Sequence, residues 1–197
     1  KTLIGYSDFK FVYKLLIGII IALGWFGAFI IKVLKLNTIL SDNVYSVLST
    51  SLYTLMGFVV ILFIVLLLRD IVWYILYYSL KLLKFDVMHM DPQNLSLLNK
   101  ANLIVVFVAL LISSYAIFEG NKVPEIINET VKSDKISRNL RIVQISDLHI
   151  TRATSDNRIL SIVDTVNNLN ADVIVLTGDI IDDDIEKVQS KIALLST

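Results

Sequence analysis

Residues 141–149 read Arg141-Ile-Val-Gln-Ile-Ser-Asp147-Leu-His149, and residues 173–179 read Val173-Ile-Val-Leu-Thr-Gly178-Asp179. Each block is an apolar, β-branched run that ends in acidic or imidazole side chains. This pattern predicts two parallel strands, because buried parallel strands have nearly continuous apolar sequences. In open α/β sheets, ligands bind at the carboxyl ends of the strands. We therefore expect Asp147, His149 and Asp179 to converge on one point.

The residues between the two blocks predict a helix that connects the strands. Apolar side chains recur from Ile159 to Leu169 at the spacing of one buried helical face, and we expect Asp156 to be the N-cap. A further helix is expected from Asp184 to Leu195. A strand, a helix and a strand in this length form a right-handed βαβ unit.

Asp147, His149 and Asp179 have the chemistry of metal ligands. A carboxylate and an imidazole two residues apart at a strand end project to the same side and can bind one divalent ion. A carboxylate on the neighbouring strand, about 5 Å away, can bridge that ion to a second one. Two ions about 3.5–4 Å apart bind a phosphoryl group and activate a water molecule. Oxygen and nitrogen donors without sulfur favour Mn, Fe or Zn over Ca.

Other acidic and imidazole side chains have simpler interpretations. His89 is a single histidine in a loop, and we expect it to lie at the surface rather than to bind metal. Asp182, Asp183 and Asp184 are expected to solvate and cap the helix that follows them. The less favoured alternative for Asp182 is a supporting role, in which it contacts a metal ligand and does not bind the metal itself.

The first 118 residues are too apolar for an ordinary soluble domain. The whole chain is 55% hydrophobic, and residues 1–118 carry only five of its 18 Asp and Glu residues. A transmembrane helix needs about 20 apolar residues, so we predict three, at about 11–34, 47–68 and 101–118. Residues 119–139 are a polar linker, and residues 140–197 form the α/β part. No basic run is typical of a nucleic-acid surface, so no nucleic-acid partner is expected.

An aromatic segment, residues 71–84, follows the second predicted span. Trp and Tyr favour the level of the lipid headgroups, so we interpret this segment as an interfacial extension of the second helix. A separate span is the alternative, in which case Arg69 and Asp70 would lie in a tight turn between two helices.

The positive charges give a weak prediction of orientation, because cytoplasmic loops carry an excess of Lys and Arg. Three spans would place seven such residues on one face of the bilayer, namely Lys1, Lys10, Lys14, Arg69, Lys81, Lys84 and Lys100. Five would lie on the other face, namely Lys32, Lys35, Lys122, Lys132 and Lys135. This small excess favours an extracytoplasmic position for residues 140–197.

The membrane region is interpreted as an anchor rather than as a transport pathway. Ionisable residues in the middle of a span mark transport pathways, whereas every charged residue here falls at a predicted span end. Gly24, Gly27 and Gly57 are interpreted as positions where helices pack closely.

The blocks Gln144-Ile-Ser-Asp147-Leu-His149 and Leu176-Thr-Gly178-Asp179 resemble the first two signatures of the calcineurin-like metallophosphoesterase superfamily. The order of spans, linker and domain is similar to a membrane-anchored bacterial subgroup. The resemblance implies transmembrane α-helices followed by the start of an α/β domain of the α-β-β-α sandwich type. It also implies that Asp147 and His149 bind the first of two metal ions and that Asp179 bridges both.

The later signatures of the superfamily are expected beyond Thr197. Residues 1–197 are therefore interpreted as an internal fragment that contains no catalytic residue, binds metal weakly and hydrolyses nothing alone. For the whole protein we expect an integral membrane phosphoesterase of the bacterial plasma membrane. Its substrate would be a phosphorylated small molecule or lipid, with a phosphomonoester, phosphodiester or pyrophosphate bond. The alternative is a catalytically inactive membrane interaction protein with a phosphoesterase-like domain.

Overall fold

The computed structural model describes residues 10–34 and 36–196, and the chain divides into two compact units. Residues 1–120 contain α1 (Phe11–Val33), α2 (Leu36–Ile39), α3 (Asp42–Leu82), a 3-10 helix (Met88–Met90) and α4 (Leu95–Gly120). Residues 121–197 contain β1 (Ile142–Ile145), α5 (Asp156–Asn168), β2 (Val173–Leu176), α6 (Ile185–Ala193) and a 3-10 helix (Leu194–Ser196). Lys1 and Lys35, two of the residues used to predict orientation, lie outside the described residues.

Three helices of the first unit, α1, α3 and α4, are long and apolar enough to cross a membrane. The predicted fold class, transmembrane helices followed by the start of an α/β domain, is confirmed, since a small parallel sheet with helices follows the three long apolar helices. α3 packs against both α1 and α4, and Leu62, Val105 and Ala109 form an apolar cluster between α3 and α4. Most other side chains of these helices are exposed, as is expected of helices that face lipid.

α3 is one unbroken helix of 41 residues. It contains the predicted span 47–68, the pair Arg69 and Asp70, and most of the segment predicted to be interfacial. The alternative with a tight turn at Arg69 and Asp70 is therefore wrong. At 1.5 Å per residue, α3 is about 60 Å long, which is about twice the thickness of the hydrocarbon core of a bilayer.

Arg69 lies inside α3 and is largely buried where α3 meets α4. Its NH1 group donates a hydrogen bond of 2.8 Å to Oδ1 of Asn102 on α4, and its Nε lies 2.8 Å from an oxygen of Asp70. The guanidinium carbon lies 5.8 Å from the centre of the Trp73 ring. Nε and NH2 of Arg69 are buried without a hydrogen-bond partner among the described residues, so these contacts compensate the charge only in part, and the helix continues through Arg69 without a break.

Two glycines allow α1 to approach α3 closely. A Cβ atom added at Gly24 would lie 2.5 Å from Cγ2 of Val59, and one added at Gly27 would lie 2.7 Å from Cδ2 of Leu52. The helices therefore pack closely at both glycines, as the sequence predicted. The same interpretation is wrong for Gly57, because a Cβ atom added there would meet nothing within 4 Å.

In the second unit, β1 and β2 form a two-stranded parallel sheet in which Ile142 pairs with Val173 and Ile145 with Leu176. Ile150, Ile159 and Val188 form the buried core beside it. Residues 121–139 contain no helix or strand. The first two residues of the predicted linker, 119 and 120, continue α4 instead.

The N-cap of α5 is Ser155, not Asp156 as predicted. The Oγ of Ser155 accepts a hydrogen bond of 3.3 Å from the backbone N–H of Arg158. Asp156 is the first residue of the helix, where its carboxylate accepts a hydrogen bond of 2.9 Å from Nζ of Lys191. Serine and aspartate are about equally good caps, so the sequence does not distinguish these neighbours.

We expect Gly24→Ala to weaken the packing of α1 against α3, by about the 1–3 kcal/mol that is typical of overpacked sites. Thermal unfolding of the protein in detergent measures this loss. Gly57→Ala is the matched control on α3, because its methyl group meets open space and alanine favours the helix. A loss for Gly24→Ala no larger than that for Gly57→Ala would contradict the packing described here.

Candidate metal centre

The structure brings Asp147, His149 and Asp179 together at the carboxyl ends of β1 and β2. One possible ligand atom from each residue lies within 4.8 Å of the other two, and all three residues are exposed. Nε2 of His149 lies 4.0 Å from an oxygen of Asp147. The predicted convergence is confirmed, and the binding of metal at this point stays a prediction.

Backbone hydrogen bonds continue beyond both strands and determine where these residues lie. The N–H of Asp147 donates to the carbonyl of Gly178 over 3.3 Å, and the N–H of His149 donates to the carbonyl of Asp179 over 3.0 Å. A further parallel bridge joins Ile150 to Ile181. The two loops are therefore paired with each other as far as the candidate site.

All three candidate ligands have a left-handed backbone conformation. The φ angle is 56° at Asp147, 47° at His149 and 44° at Asp179, and Gly178 has a φ of 65°. Such a conformation costs an L residue about 1–2 kcal/mol, although Asp and His adopt it more readily than most residues. Strained backbone is concentrated at functional sites, so three such residues at one point favour a functional role.

A fourth residue, Asp182, contacts the imidazole of His149. Its Oδ2 lies 2.7 Å from Nδ1 of His149, which leaves Nε2, the nitrogen near Asp147, available for a metal ion. Histidines that bind metal commonly have such a carboxylate partner, which fixes the tautomer and the orientation of the ring. The solvating or capping role predicted for Asp182 is replaced by this contact.

Asp183 forms a buried ion pair with Arg152 beside this site. Nε and NH2 of Arg152 donate hydrogen bonds of 3.0 and 3.1 Å to the carboxylate, and the backbone N–H of Arg152 adds a third of 3.2 Å. The two side chains are only 3% and 12% exposed. The pair ties the loop after His149 to the loop after Asp179. Asp184 occupies the N-cap position of α6 without a side-chain capping hydrogen bond.

The pKa of Asp183 reflects opposing effects. Burial raises the pKa of this carboxyl, whereas the hydrogen bonds from Arg152 and from the N–H of Asp184, together with the charge of Arg152, lower it. The lowering effects are larger in sum, so the pKa lies below its ordinary value of 3.8. Sequence reasoning missed Arg152 because 31 residues separate it from its partner and no local pattern marks it.

Comparison with known families identifies the second unit. Residues 140–196 match the family model described as calcineurin-like phosphoesterase. This part of the chain belongs to that family. The resemblance carried by the two strand-end motifs is confirmed. Metallophosphoesterases of this family bind divalent metals, and the carboxylate and imidazole donors of the cluster fit such an ion.

Curated relatives include two uncharacterized metallophosphoesterases of Helicobacter pylori. The protein of strain 26695 is 26% identical over 113 residues, and that of strain J99 is 32% identical over 73 residues. A Danio rerio transmembrane protein with metallophosphoesterase domain is 23% identical over 94 residues. These matches cover 57%, 37% and 46% of this chain, and 30%, 20% and 22% of the relatives.

The chain thus spans less than a third of the length of these relatives. The match of 113 residues is longer than the phosphoesterase unit, residues 121–197. The likeness to that relative therefore reaches into the helical unit. No solved structure matches the chain.

The ion pair of Asp183 predicts an acid-sensitive loop in the phosphoesterase unit. Because the pKa is lowered in the folded protein, the pair stabilises the loop above the ordinary pKa, and this stabilisation is lost as the pH falls through the lowered value. Hydrogen exchange at the N–H groups of Arg152 and Asp184, which both bond to Asp183, measures the loss as the pH falls below the ordinary pKa of 3.8. We expect Asp183→Asn to lower protection already at pH 6, since Arg152 then keeps a buried charge without its partner. The control is Asp156→Asn, because the Asp156 side chain is 65% exposed in its ion pair with Lys191. Unchanged protection in Asp183→Asn would refute the role of the pair.

The contact between Asp182 and His149 predicts weaker metal binding when the carboxylate is removed. We expect Asp182→Ala to lower the affinity for Mn²⁺ or Zn²⁺ by about 10–100-fold, which is typical when a residue that is hydrogen-bonded to a metal ligand is removed. Isothermal titration calorimetry measures the affinity, and the thermal unfolding temperature reports on the fold. Asp164→Ala, an exposed aspartate in α5, is the control. Equal affinities for the two variants would show that Asp182 does not support the metal site.

Proposed function

We propose that the protein is a membrane-anchored, metal-dependent phosphoesterase. The observation that carries this proposal is the meeting of two carboxylates and one imidazole within 4.8 Å at adjacent strand ends. Membership of the second unit in the calcineurin-like phosphoesterase family supports the hydrolysis of phosphate esters in general.

In this proposal, the residues of the cluster and Asp182 have separate roles. Asp147, His149 and Asp179 would together hold the divalent ions. Asp182, whose Oδ2 lies 2.7 Å from Nδ1 of His149, would fix the ring so that Nε2 could bind an ion. Bound ions supply Lewis acidity and lower the pKa of a coordinated water molecule. The donor set, without sulfur, favours Mn, Fe or Zn as the metal.

The proposed substrate is a phosphorylated small molecule or a lipid headgroup, with a phosphomonoester, phosphodiester or pyrophosphate bond. The three apolar helices support a substrate near the bilayer, because an anchor keeps the phosphoesterase unit close to lipid. The bacterial relatives support a location in a bacterial plasma membrane. The small excess of positive charge on one predicted face supports an extracytoplasmic phosphoesterase unit.

The decisive variant of the full-length protein is Asp179→Asn, which keeps the shape of the side chain and removes its charge. We expect loss of nearly all metal-dependent hydrolysis of p-nitrophenyl phosphate and bis-p-nitrophenyl phosphate, because an amide cannot bridge two cations as a carboxylate does. Asp164→Asn is the matched control and should keep full activity. Metal content, measured by elemental analysis, is compared for both variants.

The outcomes separate the two candidate functions. Hydrolysis by the unsubstituted protein that is abolished in Asp179→Asn supports the enzyme. Metal bound by the unsubstituted protein without hydrolysis of either ester, or of a phospholipid, supports an inactive phosphoesterase-like module. Turnover that is unchanged in Asp179→Asn would end the proposal.

A further inference from the structure

The end of α3 and the turn after it form a second surface, distant in sequence from the metal centre. We call residues 71–85 the aromatic arm, because they include Trp73, Tyr74, Tyr77, Tyr78 and Phe85. Five of its apolar side chains follow the spacing of one helical face, and they are between 44% and 84% exposed: Ile71, Tyr74, Ile75, Tyr78 and Leu82. The rings of Tyr74 and Tyr78 stack at 6.2 Å.

The aromatic arm is apolar on more than this one face. Val72, Leu76 and Leu83 are also exposed. Only Trp73, Tyr77 and Leu80 are partly buried within its helical part, and the Trp73 indole N–H donates to the carbonyl of Met90. Ser79 and Lys81 are exposed polar residues of this helical part, but the large apolar surface beside them is stable only where protein or lipid covers it. Something apolar must therefore cover the arm.

The position of Arg69 indicates where the arm lies relative to a bilayer. α3 is about twice as long as one hydrocarbon core is thick, so part of it lies outside that core. A charged side chain in the centre of a bilayer is costly, which places the pair of Arg69 and Asn102 near the boundary. The arm begins directly after this pair, at the level where Trp and Tyr side chains are enriched.

Positive charges accompany the arm. α3 and α4 run antiparallel, since Leu62 contacts Val105 and Ala109 while Arg69 contacts Asn102. Lys84 and Lys100 therefore both lie beyond the Arg69–Asn102 contact, on the side of the connecting loop. Both are exposed, and within the described part of the chain neither side chain has a hydrogen-bond or ion-pair partner.

The acidic residues of the same loop accept hydrogen bonds within local turns and keep their negative charges. Oδ1 of Asp86 accepts a hydrogen bond of 3.1 Å from the N–H of Met88, and Oδ1 of Asp91 accepts one of 2.9 Å from the N–H of Gln93. Both carboxylates thus serve local turns. The end of α3, the connecting loop and the start of α4 therefore expose two lysines without partners and several aromatic rings.

We propose that the aromatic arm lies in the headgroup layer of the membrane, where Lys84 and Lys100 bind the phosphates of anionic lipids. Aromatic side chains with an apolar body and a polar tip suit this layer. Lysines close to the bilayer surface are attracted to anionic lipids. The occupant of the surface is therefore lipid rather than a second copy of the chain.

The two tryptophans of the chain allow a direct measurement of depth. In Trp25→Phe, Trp73 is the single fluorescent tryptophan, and in Trp73→Phe, Trp25 within α1 is the single one. Each full-length variant is reconstituted in phosphatidylcholine vesicles that contain lipids brominated either near the headgroup or near the chain end. We expect Trp73 to be quenched more by the shallow bromines and Trp25 more by the deep ones.

Each other result overturns the proposal. Quenching of Trp73 mainly by deep bromines would place the arm in the hydrocarbon core instead of the headgroup layer. Quenching only by iodide in the water would place the arm outside the lipid. Protection from both bromines and iodide would mean that protein, such as a second copy of this chain, covers the arm.

The lipid preference is tested with the double variant Lys84→Glu, Lys100→Glu in the Trp25→Phe background. When phosphatidylglycerol replaces part of the phosphatidylcholine, we expect a blue shift of Trp73 emission that the double variant loses. Lys32→Glu, an exposed lysine in the last turn of α1, is the control and should keep the shift. No shift in the parent protein, or an equal shift in the double variant, would refute binding of anionic lipids by these lysines.

Discussion

The parallel pairing of two short strands is the constraint on which the candidate site depends. The pairing does not stop where β1 and β2 end, because the N–H groups of Asp147 and His149 still donate to carbonyls of the second segment. A slip of one residue would turn the side chains of one segment to the opposite face of the sheet. The ligand geometry is therefore a consequence of register, and the left-handed conformations at Asp147, His149 and Asp179 are maintained by that pairing.

The sequence was sufficient to predict the parts of the site that follow from strand ends. Asp147, His149 and Asp179 each close or follow an apolar run, and the parallel arrangement then brings them to one edge. Asp182 and Arg152 could not be predicted in the same way. Their contacts join loops more than 30 residues apart. No local sequence pattern distinguishes these loop residues from their neighbours. The cap of α5 was missed by a single residue, because Ser155 and Asp156 have similar capping preferences.

The helical unit shows the same limit for a different reason. Arg69 and Asp70 have the composition of a span end, so hydropathy alone left two options, the helical extension that was favoured and a turn at this pair. In the structure, Asn102 on another helix, Asp70 and Trp73 surround the guanidinium group, so the charge is accommodated without a turn. The prediction for Gly57 was wrong, since its neighbours in sequence resemble those of Gly24 but a Cβ atom added at Gly57 meets nothing within 4 Å. The structure around Arg69 and around Gly57 depends on which helix packs at each position, and a single sequence does not show which helices are neighbours.

Electrostatics connects the geometry of the site with the proposed chemistry. Two carboxylates that converge on one point repel each other, and Asp182 adds a third beside His149. Two side-chain donors of Arg152 are bonded to Asp183. Within the described residues, Asp179 has no ion-pair partner. A divalent cation at this point would turn the repulsion into attraction, since each carboxylate would then face an opposite charge at contact distance. A folded scaffold that holds acidic groups together through strained backbone, instead of letting them separate, is best explained by a site for cations.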